Sequence, residues 1–406
     1  YGDHRDLHVR SRRQRQMCIR DSIYTYLEIK YGTENKNVTK EYKVENIAVR
    51  QVSPNGAKKS IIRAFKKQRP IFIWGPPGIG KSDIVGQIGS DMSALVIDIR
   101  LSLWDPTDIK GIPYYAANDN TMKWAPPVEL PDEKLAKKHK HIILFLDEMN
   151  SAAPAVQAAA YQLILNRRVG TYKLPDNVLI VAAGNREADK GVTYRMPSPL
   201  ANRFVHLEIK VDFDDWFAWA VQNDVHQDVV GYLSFSKKDL YDFDPKSPSR
   251  SFATPRSWSF VSDLLEDDDD ETTTTDLVSG SVGEGLAVKF MAHRKVSAQL
   301  PNPSDVLVGK VKTMETKEIS AMYSLTVSLC YELKEAIDKG DKKFDDKVNN
   351  FLRFAMDNFD TELVVMGIKL ALTQYQLPID PDEVECFDEF HERFGKYIKA
   401  AQGDGS

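Results

Sequence analysis

The sequence predicts an α/β fold in which a parallel β-sheet is flanked by helices and followed by a region built only of helices. Short apolar runs alternate with amphipathic segments in the first half of the chain, which is typical of parallel strands covered on both faces. One run leads directly into a glycine-rich loop that opens a helix. Strands are predicted over 71–74, 94–99, 142–146, 178–183 and 204–209, and helices over 58–67, 82–92 and 152–166.

The second half of the chain has the apolar spacing of helices, beginning near Asp212. Thr254 and Pro255 are typical of an N-cap followed by proline at the first helical position. The acidic run over 266–272 interrupts the pattern and predicts a flexible, solvated loop, with a docking site for a basic partner as the alternative. Helices are predicted near 283–297, 317–338, 343–358 and 360–374.

The composition is that of an ordinary globular protein, with 42% hydrophobic and 28% charged residues among 406. Apolar stretches such as 142–146 are too short to cross a bilayer, so no membrane insertion is predicted. The three cysteines, at positions 18, 330 and 386, have no metal-ligand or disulfide-framework spacing. This pattern favours a reducing, cytoplasmic setting.

The first 22 residues differ from the rest of the chain. They carry six Arg and three Asp without apolar periodicity, and they resemble translated sequencing-adapter sequence, so we leave them out of the fold prediction. A basic arm for nucleic acid is the alternative. Without this segment the formal net charge changes from −5 to −8. An acidic body disfavours extended contact with nucleic-acid phosphates, which makes nucleic acid an unlikely partner.

A complete G-x-x-x-x-G-K-[ST] loop follows the predicted strand 71–74. Its glycines allow backbone N–H groups to close around a phosphate chain at a helix N-terminus. The lysine is placed to reach the β- and γ-phosphates, and the serine to offer a hydroxyl to Mg²⁺. We therefore predict a nucleoside triphosphate site formed by Gly75, Pro76, Pro77, Gly78, Ile79, Gly80, Lys81 and Ser82.

Polar residues beside three later strands complete this predicted site. Asp147 and Glu148 end a buried strand, where Asp147 would bind Mg²⁺ and Glu148 would activate the attacking water. Because successive strand residues point to opposite faces, the two carboxylates can divide these roles. Asn185 follows the next strand and could bond the γ-phosphate or the water, although Gly-Asn after a strand is usually a turn. Arg203 precedes a further strand, where an arginine suits phosphoryl charge but is normally a surface residue.

These residues, with Arg256, follow the order of Walker A, Walker B, sensor 1, arginine finger and sensor 2 in AAA+ ATPases, which the chain resembles over roughly 55–300. Segments 105–111 and 194–204 are most similar to the MoxR-like branch. The resemblance implies an AAA+ P-loop NTPase core with ATP and Mg²⁺ as ligands, although some relatives prefer GTP. Together with the pattern of elements, it predicts an N-terminal segment 23–56, the core 57–211 and an α-helical lid 212–310. The pattern of elements alone predicts C-terminal helices over 311–401 and a disordered tail 402–406.

The resemblance also implies roles that spacing alone does not. Arg203 would enter a neighbouring subunit's site in a homo-oligomeric ring, commonly a hexamer. Arg256 would report the nucleotide state to the lid, in its own subunit or in a neighbour's. Segments 101–125 and 168–176 would face a substrate or partner, whereas the helices after about 300 match no family pattern.

The leading hypothesis is a Mg²⁺-dependent ATPase that remodels or matures a protein partner in the manner of a chaperone. Relatives often act with a protein that carries a von Willebrand factor A domain. One alternative is a nucleic-acid-associated motor or loader, which the acidic body disfavours. Another is a nucleotide-gated scaffold that binds ATP without hydrolysing it, which the intact Glu148 disfavours.

Overall fold

The computed structural model describes residues 50–403 except 119, 190, 192, 267–269 and 316–317. The first 49 residues, with the adapter-like segment 1–22 and most of segment 23–56, lie outside the described residues. Among the described residues, no helix has both the length and the apolar composition needed to cross a membrane.

A six-stranded parallel sheet confirms the predicted α/β class. The strands among the described residues are β1 (Gln51–Val52), β2 (Ile71–Trp74), β3 (Leu95–Arg100), β4 (Ile112–Ala116), β5 (Thr121–Ala125), β6 (Ile142–Asp147), β7 (Arg168–Val169), β8 (Tyr172–Lys173), β9 (Val178–Gly184) and β10 (Val205–Ile209). The sheet has the order β1-β10-β2-β9-β6-β3, and all of its neighbouring strands are parallel. The carboxyl ends of β2, β9 and β6 therefore lie side by side. Two antiparallel hairpins, β4–β5 and β7–β8, stand apart from this sheet.

Helices cover both faces of the sheet. Those of the α/β part are α1 (Pro54–Phe65), α2 (Lys81–Asp91), α3 (Pro106–Lys110), α4 (Glu133–Lys138), α5 (Pro154–Asn166) and α6 (Ser198–Ala201). Ile71 and Ile73 of β2 belong to a buried cluster that includes side chains of α1 and α2. Phe72, which points the opposite way, belongs to a second cluster with Leu163 of α5. Burial on both faces explains why β2 is apolar at every position.

The rest of the chain is helical and has one shared core. Its helices are α7 (Phe213–Gln222), α8 (Gln227–Phe235), α9 (Pro255–Leu264), α10 (Glu271–Val282), α11 (Glu284–Ser297), α12 (Pro303–Leu307), α13 (Ile319–Asp338), α14 (Phe344–Asn358), α15 (Thr361–Lys369) and α16 (Phe387–Gly403). A single cluster of buried side chains includes Trp258 of α9 and Phe351 of α14. The predicted segments 212–310 and 311–401 therefore share a core.

Two details of the helical part differ from the sequence prediction. The end of the acidic run is not a loop, because α10 begins at Glu271 and the Asp270 carboxylate caps it by accepting a 2.8 Å hydrogen bond from the Thr273 amide. Carboxylates are favourable at a helix N-terminus, so an acidic run can start a helix as well as interrupt one. The second difference is α16, which lies in the predicted C-terminal helices 311–401 without an individual prediction of its bounds and continues to Gly403, two residues past that region.

Candidate active site

The glycine-rich loop lies between β2 and α2, at the carboxyl edge of the sheet. Gly78 and Gly80 have φ angles of +74° and +86°, a region that residues with a Cβ rarely adopt. Gly78 also packs against the helical part, because a Cβ at this position would lie 2.6 Å from Thr254 Oγ1. The loop thus has the left-handed turns that aim backbone N–H groups at a bound anion.

Lys81 is held inside this loop. Its Nζ donates hydrogen bonds to the carbonyls of Gly75 and Pro76, at 2.8 and 3.0 Å, and to Asn185 Oδ1 at 2.8 Å. Burial lowers the pKa of Lys81 to about 8, an effect that Asp147 partly opposes. The ammonium group therefore lies beside Asn185, where a γ-phosphate is predicted.

Ser82 and Asp147 are brought together from two neighbouring elements. Ser82 Oγ donates to Asp147 Oδ2 over 3.0 Å, and the other carboxylate oxygen accepts the Glu148 amide over 2.8 Å. A hydroxyl and a carboxylate are oxygen ligands of the type that Mg²⁺ prefers, and proteins commonly supply only one or two of them beside phosphate oxygens. The donor set therefore fits the predicted Mg²⁺.

Glu148 lies just beyond the end of β6, so strand alternation does not set its direction as the sequence analysis expected. Its φ is +53°, a left-handed conformation at the start of the turn that leaves the strand. Its side chain accepts a short hydrogen bond from Ser102 Oγ, in the segment after β3. A strained backbone held by a specific partner is typical of functional positions.

Asn185 follows β9 directly and is joined to the turn after β6. The Asn150 side chain donates from Nδ2 to the Asn185 carbonyl over 2.7 Å. The next residue, Arg186, is paired with Asp189 at 2.8 Å and with Glu208 of β10 at 3.3 Å. The polar residues after β9 are therefore held by contacts to the turn after the neighbouring strand β6 and to β10, which lies beyond β2 in the sheet.

The start of α9 brings Arg256 to the glycine-rich loop of its own chain. Its backbone amide donates to the Gly78 carbonyl over 3.2 Å, and its charge is close enough to lower the pKa of Lys81. The Arg256 side chain is exposed. Thr254 and Ser257 form a reciprocal capping box that fixes this end of the helix, as the N-cap prediction for Thr254 expected.

Arg203 is not brought into this site. It follows α6, where its backbone amide donates to the Leu200 carbonyl over 3.0 Å. Its side chain is exposed and makes no hydrogen bond or ion pair within the described part of the chain. Of the predicted residues, the structure therefore brings Lys81, Ser82, Asp147 and Asn185 together directly. It places Glu148 and Arg256 beside them through backbone contacts.

Sequence reasoning missed Ser102, Asn150 and Arg186. Ser102 and Asn150 contact residues that are 46 and 35 positions away along the chain, so no local pattern marks them. A weak signal existed for Asn150, which stands two residues after Glu148, and for Arg186, which follows Asn185.

Comparison with known proteins identifies the α/β part. Residues 71–211 match the family model described as "ATPase family associated with various cellular activities (AAA)". This region is an AAA ATPase domain. The match includes β2, the glycine-rich loop, the turn after β6 and Arg203. An AAA-type domain with a complete P-loop is a nucleotide-binding ATPase domain.

Individual relatives are similar over part of their length. A midasin of Giardia intestinalis is 29% identical over 191 residues, which are 44% of this chain, and the match spans only 4% of that midasin. A mutant of Thermotoga maritima RuvB is 15% identical, with 75% of this chain and 85% of that one covered at a TM-score of 0.32. NtrX from Brucella abortus is 12% identical, with coverages of 97% and 76% and a TM-score of 0.30.

Proposed function

We propose that the ATPase hydrolyses ATP with Mg²⁺ as a MoxR-like ring and uses that reaction to remodel or mature a protein partner. The observation that carries the proposal is the pairing of the loop with two strand ends. Lys81 bonds to Asn185 after β9, and Ser82 bonds to Asp147 at the end of β6. These contacts join the phosphate-binding and hydrolytic residues in one site.

The residues of this site have separable tasks in the proposed reaction. Lys81 and the loop amides bind the phosphate chain, and Ser82 and Asp147 hold the metal. Mg²⁺, when bound, neutralises charge on the β- and γ-phosphate oxygens. Glu148 accepts the proton of the attacking water, and Asn185 donates its side-chain amide to that water or to the γ-phosphate.

A homo-oligomeric ring, of six subunits by resemblance, is supported by the two arginines. Arg256 lies at the loop of its own chain, through the bond between its amide and the Gly78 carbonyl, so we propose that it acts in its own subunit. Arg203 is exposed. We propose that it completes the site of a neighbouring subunit, where its planar guanidinium suits the charge that develops during phosphoryl transfer.

The partner in this proposal is a protein with a von Willebrand factor A domain, because the segments 105–111 and 194–204 resemble the MoxR-like branch. The β4–β5 hairpin lies in segment 101–125, which would face it. This hairpin exposes large apolar side chains, among them Tyr115 and Met122, which are 62% and 67% exposed. Exposed apolar side chains on a hairpin that stands apart from the sheet are suited to binding a protein.

The hydrolytic step is tested with Glu148→Gln. This change keeps the shape of the side chain and removes its ability to accept a proton, so phosphate release should fall at least about a hundredfold while ATP affinity stays within about twofold. The matched control is Glu133→Gln, which makes the same change at an exposed position in the first turn of α4. Unchanged turnover in Glu148→Gln would remove Glu148 from the proposed role.

The partner class is tested with the same Glu148→Gln protein, held with ATP. We expect it to retain a von Willebrand factor A domain protein that is released when ATP is withdrawn, and the Glu133→Gln control not to accumulate it. Hydrolysis that DNA or RNA stimulates, with a steep loss of stimulation as salt rises, would instead indicate a nucleic-acid motor.

A further inference from the structure

Asn150 is a buried residue for which the reaction described above has no role. It lies in the turn after β6 and is only 2% exposed. Its Oδ1 is buried and has no hydrogen-bond partner among the described residues. A buried polar atom without a partner destabilises the folded chain, so another property must favour an asparagine here.

Asn150 extends the hydrogen-bond ladder between β6 and β9 beyond the end of β6. The Met149 amide donates to the Ala183 carbonyl over 2.9 Å. The Asn150 side-chain amide donates to the next carbonyl on the same side, that of Asn185, over 2.7 Å. In a parallel ladder a backbone N–H would make this second bond. The side chain replaces it at the point where the β6 backbone turns away.

The space for this contact depends on Gly184, the last residue of β9. A Cβ at Gly184 would lie 2.1 Å from Asn150 Oδ1 and 2.7 Å from its Cγ. No side chain other than hydrogen therefore fits at residue 184 while Asn150 keeps its place. Gly184 comes directly before Asn185. The packing of Asn150 against Gly184 and its hydrogen bond to the Asn185 carbonyl therefore both restrain the backbone at Asn185.

We propose that Asn150 is a positioning residue of the ATPase, whose side-chain amide holds the Asn185 backbone so that the Asn185 side chain faces the phosphate end of the loop. The inference rests on the role proposed for Asn185. The distance of 2.8 Å between Asn185 Oδ1 and Lys81 Nζ marks the position that is held. The Asn150 carbonyl also accepts the Tyr194 amide over 2.6 Å, which ties this position to the segment that leads to Arg203.

The test is a double-mutant cycle on the full chain, read as turnover and as affinity for ATP. Asn150→Ala should lower kcat about tenfold or more with ATP affinity within about twofold, because misplacement of a reacting group affects the transition state more than binding. Asn150→Ala combined with Asn185→Ala should be no slower than Asn185→Ala alone, since the first change acts through the second residue.

Two further variants separate positioning from general stability. Gly184→Ala pushes Asn150 out of place without altering its chemistry and should reproduce the loss of kcat. Asn177→Ala is the matched control, because the Asn177 amide also donates to backbone carbonyls, those of Ala136 and His139, at the opposite edge of the sheet. It should leave kcat unchanged even where it lowers the melting temperature.

The outcomes distinguish the inference from the function on which it rests. Additive losses from Asn150→Ala and Asn185→Ala, or an unchanged kcat in a folded Asn150→Ala protein, would overturn the positioning role and leave the ATPase intact. If Asn150→Ala does not fold, Asn150→Asp keeps the shape, removes the donor and is judged by the same cycle. Full activity of Asn185→Ala would instead overturn the role proposed for Asn185, and the inference with it.

Discussion

The affinity for ATP should depend on pH through Lys81. Burial lowers the pKa of this lysine to about 8, and Asp147 and Asp189 only partly oppose that effect. The side chain is therefore charged at pH 7 and largely neutral at pH 9.5. Because the charged form is the one that attracts the triphosphate, ATP affinity should fall as pH rises through 8. An ordinary exposed lysine would stay charged over this range.

The size of the effect follows from the fraction of Lys81 that carries a proton. With a pKa of about 8, this fraction falls about 30-fold between pH 7 and pH 9.5. The dissociation constant for ATP should rise by up to about the same factor, which corresponds to about 2 kcal/mol. The slope of log Kd against pH should approach one above pH 8.5 and vanish below pH 7.

The measurement is a titration with ATP and Mg²⁺ on the Glu148→Gln protein, so that hydrolysis does not distort the binding curve. Lys81→Arg is the control, because a guanidinium stays protonated throughout the range and should remove the slope even where it weakens binding. The reasoning fails if ATP affinity is constant from pH 7 to 9.5, or if Lys81→Arg retains the full pH dependence.

Three other changes test separate contacts. Arg203→Ala should lower turnover of the assembled protein at least about a hundredfold while leaving the ATP affinity of isolated subunits intact, because Arg203 would act on the site of a neighbouring subunit. A matching loss of ATP affinity in isolated subunits would place Arg203 in the site of its own subunit. Gly78→Ala should destabilise the chain by about 1 kcal/mol or more and weaken ATP binding, because Gly78 has a positive φ and contacts the helical part. The control is Gly86→Ala, in α2 with open space around it, which should be neutral or stabilising. Equal shifts of the melting temperature in the two variants would contradict this prediction. Ser102→Ala should lower kcat about tenfold without changing Kd, because Glu148 loses the donor that holds it; an unchanged kcat would show that the contact is dispensable.

The centre of the sheet was predictable because β2, β6 and β9 are short, mainly apolar runs that are buried on both faces. Predicted and observed bounds of β2, β6 and β9 agree to within one residue. The phosphate loop was predictable for a related reason, since its chemistry needs particular residue types at fixed spacing. The roles of these residues stay proposals that the experiments above address.

The contacts that hold the site together were not predictable. Ser102 reaches Glu148 only because β3 and β6 are neighbours in the sheet, and Asn150 reaches Asn185 only because β6 and β9 are. The direction of Glu148 could not be predicted either, since it depends on a positive φ in the turn after β6. These contacts depend on which strands become neighbours in the sheet, and the spacing of residues along the sequence does not indicate that order.

The contacts between Gly78 and the start of α9 couple the position of the helical part to that of the phosphate loop. Thr254 and the Arg256 amide touch Gly78, while Trp258, one turn further along the same helix, belongs to the core shared with Phe351. A close-packed core transmits displacement and does not absorb it. A small shift of the loop on binding or release of a phosphate would therefore be amplified at the far end of the helices. The largest displacement would then occur at the end of the helical part that is farthest from the phosphate loop.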